Sequence, residues 1–116
     1  MRNFRNFDIW IRSMKIANYT YDIMTDIPND EKYGLNSQIR RAVVSIPANI
    51  AEGCSRSTDK EFRRFIEIAI GSSFELETLL EICFRRQYID DHSMDLISKD
   101  LNLLQKQLNR LHNKLS

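Results

Sequence analysis

YGLNSQIRRAVVSIPANIAEGCSRSTDKEFRRFIEIAIGSSFEL, residues 33–76, holds two amphipathic helices and the turn between them. Leu35, Ile39, Ala42, Val43, Ile46 and Ile50 recur at three- and four-residue steps, the period of one helix face. Pro47 lies inside that pattern. It cannot donate to the carbonyl of Val43, so a bend is expected there. Gly53 follows the last apolar position, where a left-handed glycine commonly ends a helix. Thr58 and Glu61 then form a T-x-x-E capping box that opens the next helix. Its expected apolar line is Phe62, Phe65, Ala69, Ser72, Leu76, Leu80 and Cys83. Gly71 falls mid-helix beside Ala69, Ser72 and Ser73. A glycine there costs about 1 kcal/mol relative to alanine, so close approach of another backbone is its expected reason.

On the N-terminal side, a helix is expected from Asn6 to Asp26. Phe7, Trp10, Met14, Ala17, Tyr21 and Met24 draw one apolar stripe, and Ile9, Ile16 and Ile23 draw a second at seven-residue spacing. Asn29 or Asp30 is placed to cap the helix that follows. On the C-terminal side, Asp90 or Asp91 opens a fourth helix. Its seam of Met94, Ile97, Leu101, Leu104, Leu108, Leu111 and Leu115 is an unbroken heptad pattern, with Leu96 and Leu103 off the seam. Four such segments with short connections predict an all-α, left-handed, up-and-down antiparallel four-helix bundle, residues 1–116 forming one domain. Trp10, Phe65, Leu76, Leu101, Leu104 and Leu108 are expected in its core. Ile9, Ile16, Ile23, Leu96 and Leu103 are then left over as apolar stripes on a monomer, the signature of a self-contact.

Composition narrows the function. Three Gly and two Pro leave little material for hairpins. No apolar run approaches the roughly 20 residues of a membrane span, and MRNFRNFDIW has no export signal. Cys54 and Cys83 match no metal or redox spacing, so two reduced thiols and a cytoplasmic setting are expected. The net charge of +1 conceals basic stretches in residues 1–21 and 40–64. Arg40, Arg41, Arg56, Arg63 and Arg64 are expected around the turn between the second and third helices. Guanidinium forks suit phosphate oxygens, so these five are the candidate nucleic-acid contacts. No RNA-recognition sequence or set of stacking aromatics accompanies them, and solvated helix faces explain them as well.

Gln38, Arg41, Ser45, Asn49 and Glu52 align on the second helix. They read either as repair of the carbonyls freed by Pro47 or as a fixed polar surface. Catalysis finds little footing. A di-iron bundle needs paired Glu-x-x-His motifs, and neither His92 nor His112 has a Glu three residues before it. Cys54 reads as a turn residue and Cys83 as core, neither a placed nucleophile. Arg86 and His92 approximate the spacing of metal-independent, HEPN-like helical nucleases; a helix-terminal Arg and a loop His explain them more simply. No cofactor, no metal and no enzymatic activity are expected.

QIRRA, SIPANIAEG and GSSFEL, in this order, together with FDIWIRSMKIANYTYDI, resemble the bacterial four-helix-bundle family called 23S rRNA-intervening-sequence proteins. That family is similar to the accessory variability protein of diversity-generating retroelements, a basic pentameric barrel that binds a reverse transcriptase and nucleic acid. The resemblance implies a bacterial, non-enzymatic homo-oligomer of five copies. It further implies RNA or DNA contacts, or a protein partner such as a reverse transcriptase. The near-neutral charge of this chain departs from the strongly basic retroelement protein.

Overall fold

Four helices form where the amphipathic segments lie: α1 Asp8–Ile23, α2 Leu35–Cys54, α3 Asp59–Arg85 and α4 Asp91–Lys114. The computed structural model describes residues 2–31 and 33–115, and no strand occurs among them. Short 3-10 turns at Phe4–Asn6, Met24–Asp26 and Asn29–Glu31 flank α1 and lead into α2. The Thr58 hydroxyl accepts from the Glu61 amide, and the Asp90 carboxylate accepts from the Ser93 amide, so both expected caps open their helices. Asn29 and Asp30 instead fall in a 3-10 turn, and α2 starts after Gly34 without a side-chain cap.

The helices pack in chain order and α1 closes the ring against α4. Neighbours run antiparallel. Ser45 of α2 meets Ser72 of α3 at 2.7 Å, Arg12 of α1 meets Asp100 of α4 at 3.1 Å, and Arg63 of α3 meets the end of α4 at His112. The result is a rod of 43 × 25 × 21 Å. Its interior holds Ile39, Ile46 and Ile50 from α2, Phe62, Ile66, Leu76 and Leu80 from α3, and Ile97, Leu101, Leu104 and Leu108 from α4, all fully buried. Burying one such side chain contributes about 1.5–3 kcal/mol.

Two helices turn a different face inward than their aromatic residues suggest. In α1 the buried line is Ile9, Ser13, Ile16, Thr20 and Ile23, joined by Ala17 and, just past the helix, Met24 from the expected stripe, while Met14 and Tyr21 are exposed and Trp10 is half-buried. The hydroxyls of Ser13 and Thr20 bond the carbonyls of Trp10 and Ile16, which lets two polar residues complete an apolar stripe. In α3 the core takes Ser73, bonded to the Ile70 carbonyl; Ser72 and Phe65 sit at its edge. Trp10 and Phe65 are therefore peripheral, whereas Leu76, Leu101, Leu104 and Leu108 are in the core.

The glycines are also used differently. No glycine has a positive φ, and α2 runs through Gly53 to Cys54. A Cβ on Gly53 would lie 2.8 Å from the Cβ of Phe65 and 2.9 Å from the Phe62 ring, so this glycine allows α3 to approach the end of α2. Gly71 has nothing within 4 Å of where its Cβ would be, so no backbone of this chain approaches it. The left-handed residue is Gln87, φ 66°. It closes α3 with the amide bonds Gln87 to Phe84 and Tyr88 to Cys83, the paired Schellman pattern. Arg2 ties the chain's start across the α2–α3 turn. Its amide bonds the Cys54 carbonyl, and its guanidinium stacks on Phe62 and pairs with Asp59.

Candidate functional site

Antiparallel packing sorts the charges by end. The half of the rod that contains the α2–α3 turn is built from residues 2–15, 45–72 and 103–115. It carries eleven Arg and Lys against five Asp and Glu. The described residues of the other half carry five against eleven, so a molecule of net charge +1 has one basic and one acidic pole.

The five candidate arginines do not gather at one place. Arg56, Arg63 and Arg64 belong to the basic pole. Arg40 and Arg41 lie 12 to 13 residues before Gly53, about 18–20 Å along the helix from the turn. The five form no single cluster around the turn, because α2 runs as one continuous helix to Cys54 and its first third lies away from the turn. Arg56 lies over the Phe65 ring and pairs with Glu52. Arg63 and Arg64 share Glu67, at 3.6 and 3.7 Å. Glu67 also meets His112 Nε2 at 3.0 Å, and Arg63 Nε donates to the His112 carbonyl, which ties α3 to the end of α4. The His112 hydrogen bond, with Arg63 and Arg64 nearby, holds the Glu67 carboxyl below its ordinary range. Lys60, Lys106, Arg110 and Lys114 form no ion pair among the described residues; Lys60 falls within the basic stretch 40–64, whereas the three α4 cations reach the pole only through folding.

The candidate contact residues divide as well. Leu96 and Leu103 are each 43% exposed, whereas Ile9, Ile16 and Ile23 are 7%, 1% and 7% exposed. The three isoleucines are core, so they form no stripe open to a second copy. Their place is taken by Ile11, exposed on α1 near the Arg12–Asp100 pair that fixes the α1–α4 contact. Leu103 lies between Asp100 and Gln107, both of which Arg12 touches. On the opposite side of the rod, Val44 of α2 and Ile68 and Ile82 of α3 are exposed.

The polar ladder of α2 is tied to the fold. Asn49 donates to the carbonyl and hydroxyl of Ser45, and Ser45 meets Ser72. The carbonyl served is that of Ser45, not that of Val43 four residues before Pro47.

Reactive groups are muted. Both thiols are free and buried. Burial pushes Cys83 up to about 11 and raises Cys54, the latter against the pull of the Arg2 guanidinium; protonated thiols are poor nucleophiles. Arg86 ends α3 and interacts with Tyr88, while His92 stands in the first turn of α4; no hydrogen bond or ion pair links them among the described residues. Among those residues no group of three His, Cys, Asp or Glu could hold a metal, and no helix is long and apolar enough to cross a membrane.

Comparison with known proteins adds lineage to this geometry. The family described as 23S rRNA-intervening sequence protein matches residues 5–110. The fold is similar to the crystal structure of a protein of unknown function from the S23 ribosomal protein family of Bacteroides thetaiotaomicron. The TM-score is 0.82 at 26% identity, covering 90% of this chain and 97% of that one. No curated protein matches the chain.

Proposed function

Since the chain belongs to the 23S rRNA-intervening sequence protein family, we propose that it works by binding rather than by catalysis, as a self-associating adaptor in the cytoplasm. One observation carries this reading: unlike apolar seams stay exposed on opposite sides of the bundle. Ile11, Leu96 and Leu103 mark the α1–α4 side, and Val44, Ile68 and Ile82 the α2–α3 side. Two unlike faces suit a head-to-tail contact, which closes into a ring when the rotation permits. Five copies is the number the family resemblance implies. A side of the rod also has the size for it. At 43 Å by 21–25 Å it spans roughly 900–1,100 Å², against about 800 Å² per partner in a stable interface.

The partner of such an assembly is RNA or DNA, bound weakly through the basic pole, or a protein such as a reverse transcriptase. Size-exclusion chromatography with light scattering tests the self-association. The expected mass is a multiple of the 13.7 kDa chain at micromolar concentration, five-fold for the ring. Replacing Leu96 and Leu103 together by Gln should lower it without unfolding the bundle. A monomeric wild type overturns the reading.

A further inference from the structure

In the second half of α4 the charges are all of one sign. No Asp or Glu follows Asp100, while Lys106, Arg110 and Lys114 recur at four-residue steps, about 6 Å apart along one side of the helix. All three are exposed, and none has an ion pair among the described residues. The helix dipole favours a cation in the last turn, which accounts for Lys114 but not for Lys106, two turns further in. The acids around the row are engaged by other groups: Asp100 by Arg12 and Lys15, Glu67 by Arg63, Arg64 and His112, and Glu77 by Gln105. Asp8 of the neighbouring α1 pairs with none of the three. The arginines at the α2–α3 turn differ, since Glu52 and Glu67 already neutralise Arg56, Arg63 and Arg64.

We propose that this face of α4 is a docking surface for the phosphate backbone of a nucleic-acid duplex, held by Lys106, Arg110 and Lys114. The exposed positions between Lys106 and Lys114 are Asn109, Arg110 and Asn113, so cations alternate with amides that can also reach phosphate oxygens. No Phe, Tyr or Trp occurs in α4, so the face offers nothing for an unpaired base to stack on. A duplex presents phosphates in a fixed row and needs no stacking partner, and contacts to phosphate alone carry no sequence preference. A protein partner would want an apolar centre, which the row lacks. At about 100° per residue, Lys106 points roughly 60° around α4 from Leu103, away from α1, and Arg110 lies about 10 Å beyond Leu103 toward the pole. A self-contact over Leu96 and Leu103 therefore leaves the row at its edge. The proposal rests on the reading of this protein as a binding module and names the form of nucleic acid and the residues that hold it.

Fluorescence anisotropy with a 20-base-pair RNA duplex tests this, alongside a 20-nucleotide oligo-uridine, while light scattering follows the oligomer. Wild type should bind the duplex at about 50 mM salt, at least as tightly as the single strand. Two double replacements remove the same charge from opposite poles. Lys106→Gln with Arg110→Gln should weaken duplex binding about five-fold or more and flatten the salt slope by about 2 for each copy engaged. Arg40 and Arg41 are also exposed and without an ion pair among the described residues, but they lie in the acidic half. Arg40→Gln with Arg41→Gln should change duplex binding less than about two-fold. Equal losses from the two pairs overturn the proposal, because binding would then follow net charge alone. Tighter binding of the single strand overturns it too, since the bases would then be what the protein reads. A smaller oligomer in the α4 variant with duplex binding intact would make the row a contact between copies, with the same consequence. No binding by an intact wild-type oligomer also overturns it while leaving the adaptor reading standing. A monomer that binds in the expected pattern does the reverse.

Discussion

Helices α1 and α4 pack against each other, yet their sequences announce their buried faces very differently. In α4 each core position is apolar, so Ile97, Leu101, Leu104 and Leu108 spell out the seam and occupy it. In α1 the buried residues are Ile9, Ser13, Ile16, Ala17, Thr20 and Ile23, and two of the six are polar. Each of those hydroxyls bonds a carbonyl within its own helix, so neither reaches the core unsatisfied. Apolar periodicity finds a helix reliably, but picks its inner face only where no polar group can be satisfied locally.

The largest test of this contrast concerns matched truncations. Ile16→Ala and Leu104→Ala should each cost about 2–5 kcal/mol, because both side chains are at most 1% exposed. Met14→Ser, on the stripe that sequence favours, should stay within about 0.5 kcal/mol. Urea unfolding measures all three, and a Met14 loss as large as that of Ile16 would mean α1 is rotated. A smaller effect is expected at Thr20. Its hydroxyl shares the Ile16 carbonyl with the helix's own amide, so Thr20→Val leaves no orphaned acceptor. Stability should hold or rise by up to about 1 kcal/mol; a loss above that would make the hydroxyl a needed partner.

The finest difference lies at the two N-termini. The Asp90 carboxylate caps α4, whereas α1 begins after Phe7 with no side-chain cap. The Ser93 amide holds the Asp90 carboxyl below its ordinary value of 3.8. A depressed carboxylate stabilises the fold above the unfolded value and loses that contribution as pH falls through the folded one. Amide exchange below about pH 4 should therefore show the first turn of α4 opening more than at neutral pH, with little change at the start of α1. Asp90→Asn keeps an acceptor and should remove the acid sensitivity. Equal opening at both ends would refute the cap's role.

What sequence made legible follows from locality. The four helices and the caps at Thr58 and Asp90 depend on neighbours a few residues apart, and they stand where the spacing puts them. Contacts across the bundle were not legible. Gly53 looks like a terminator until Phe62 and Phe65 are brought against it, and the terminator's conformation falls on Gln87, which carries no glycine signal. Ile9, Ile16 and Ile23 looked spare only because Ser13 and Thr20 hid the stripe they complete. The candidate arginines adjoin in sequence but part in space, while Lys106 and Lys114 join the pole from α4.

The segregation of charge along the rod bears on how it meets other molecules. With a net charge of +1, a distant polyanion pulls on the protein only faintly. Within about a Debye length, roughly 8 Å at physiological ionic strength, the unequal ends feel different forces and the rod experiences a torque. It turns its α2–α3 end forward before any atoms touch. Arrival orientation is thus selected during the approach, and adding salt should remove that selection sooner than it weakens contacts already formed.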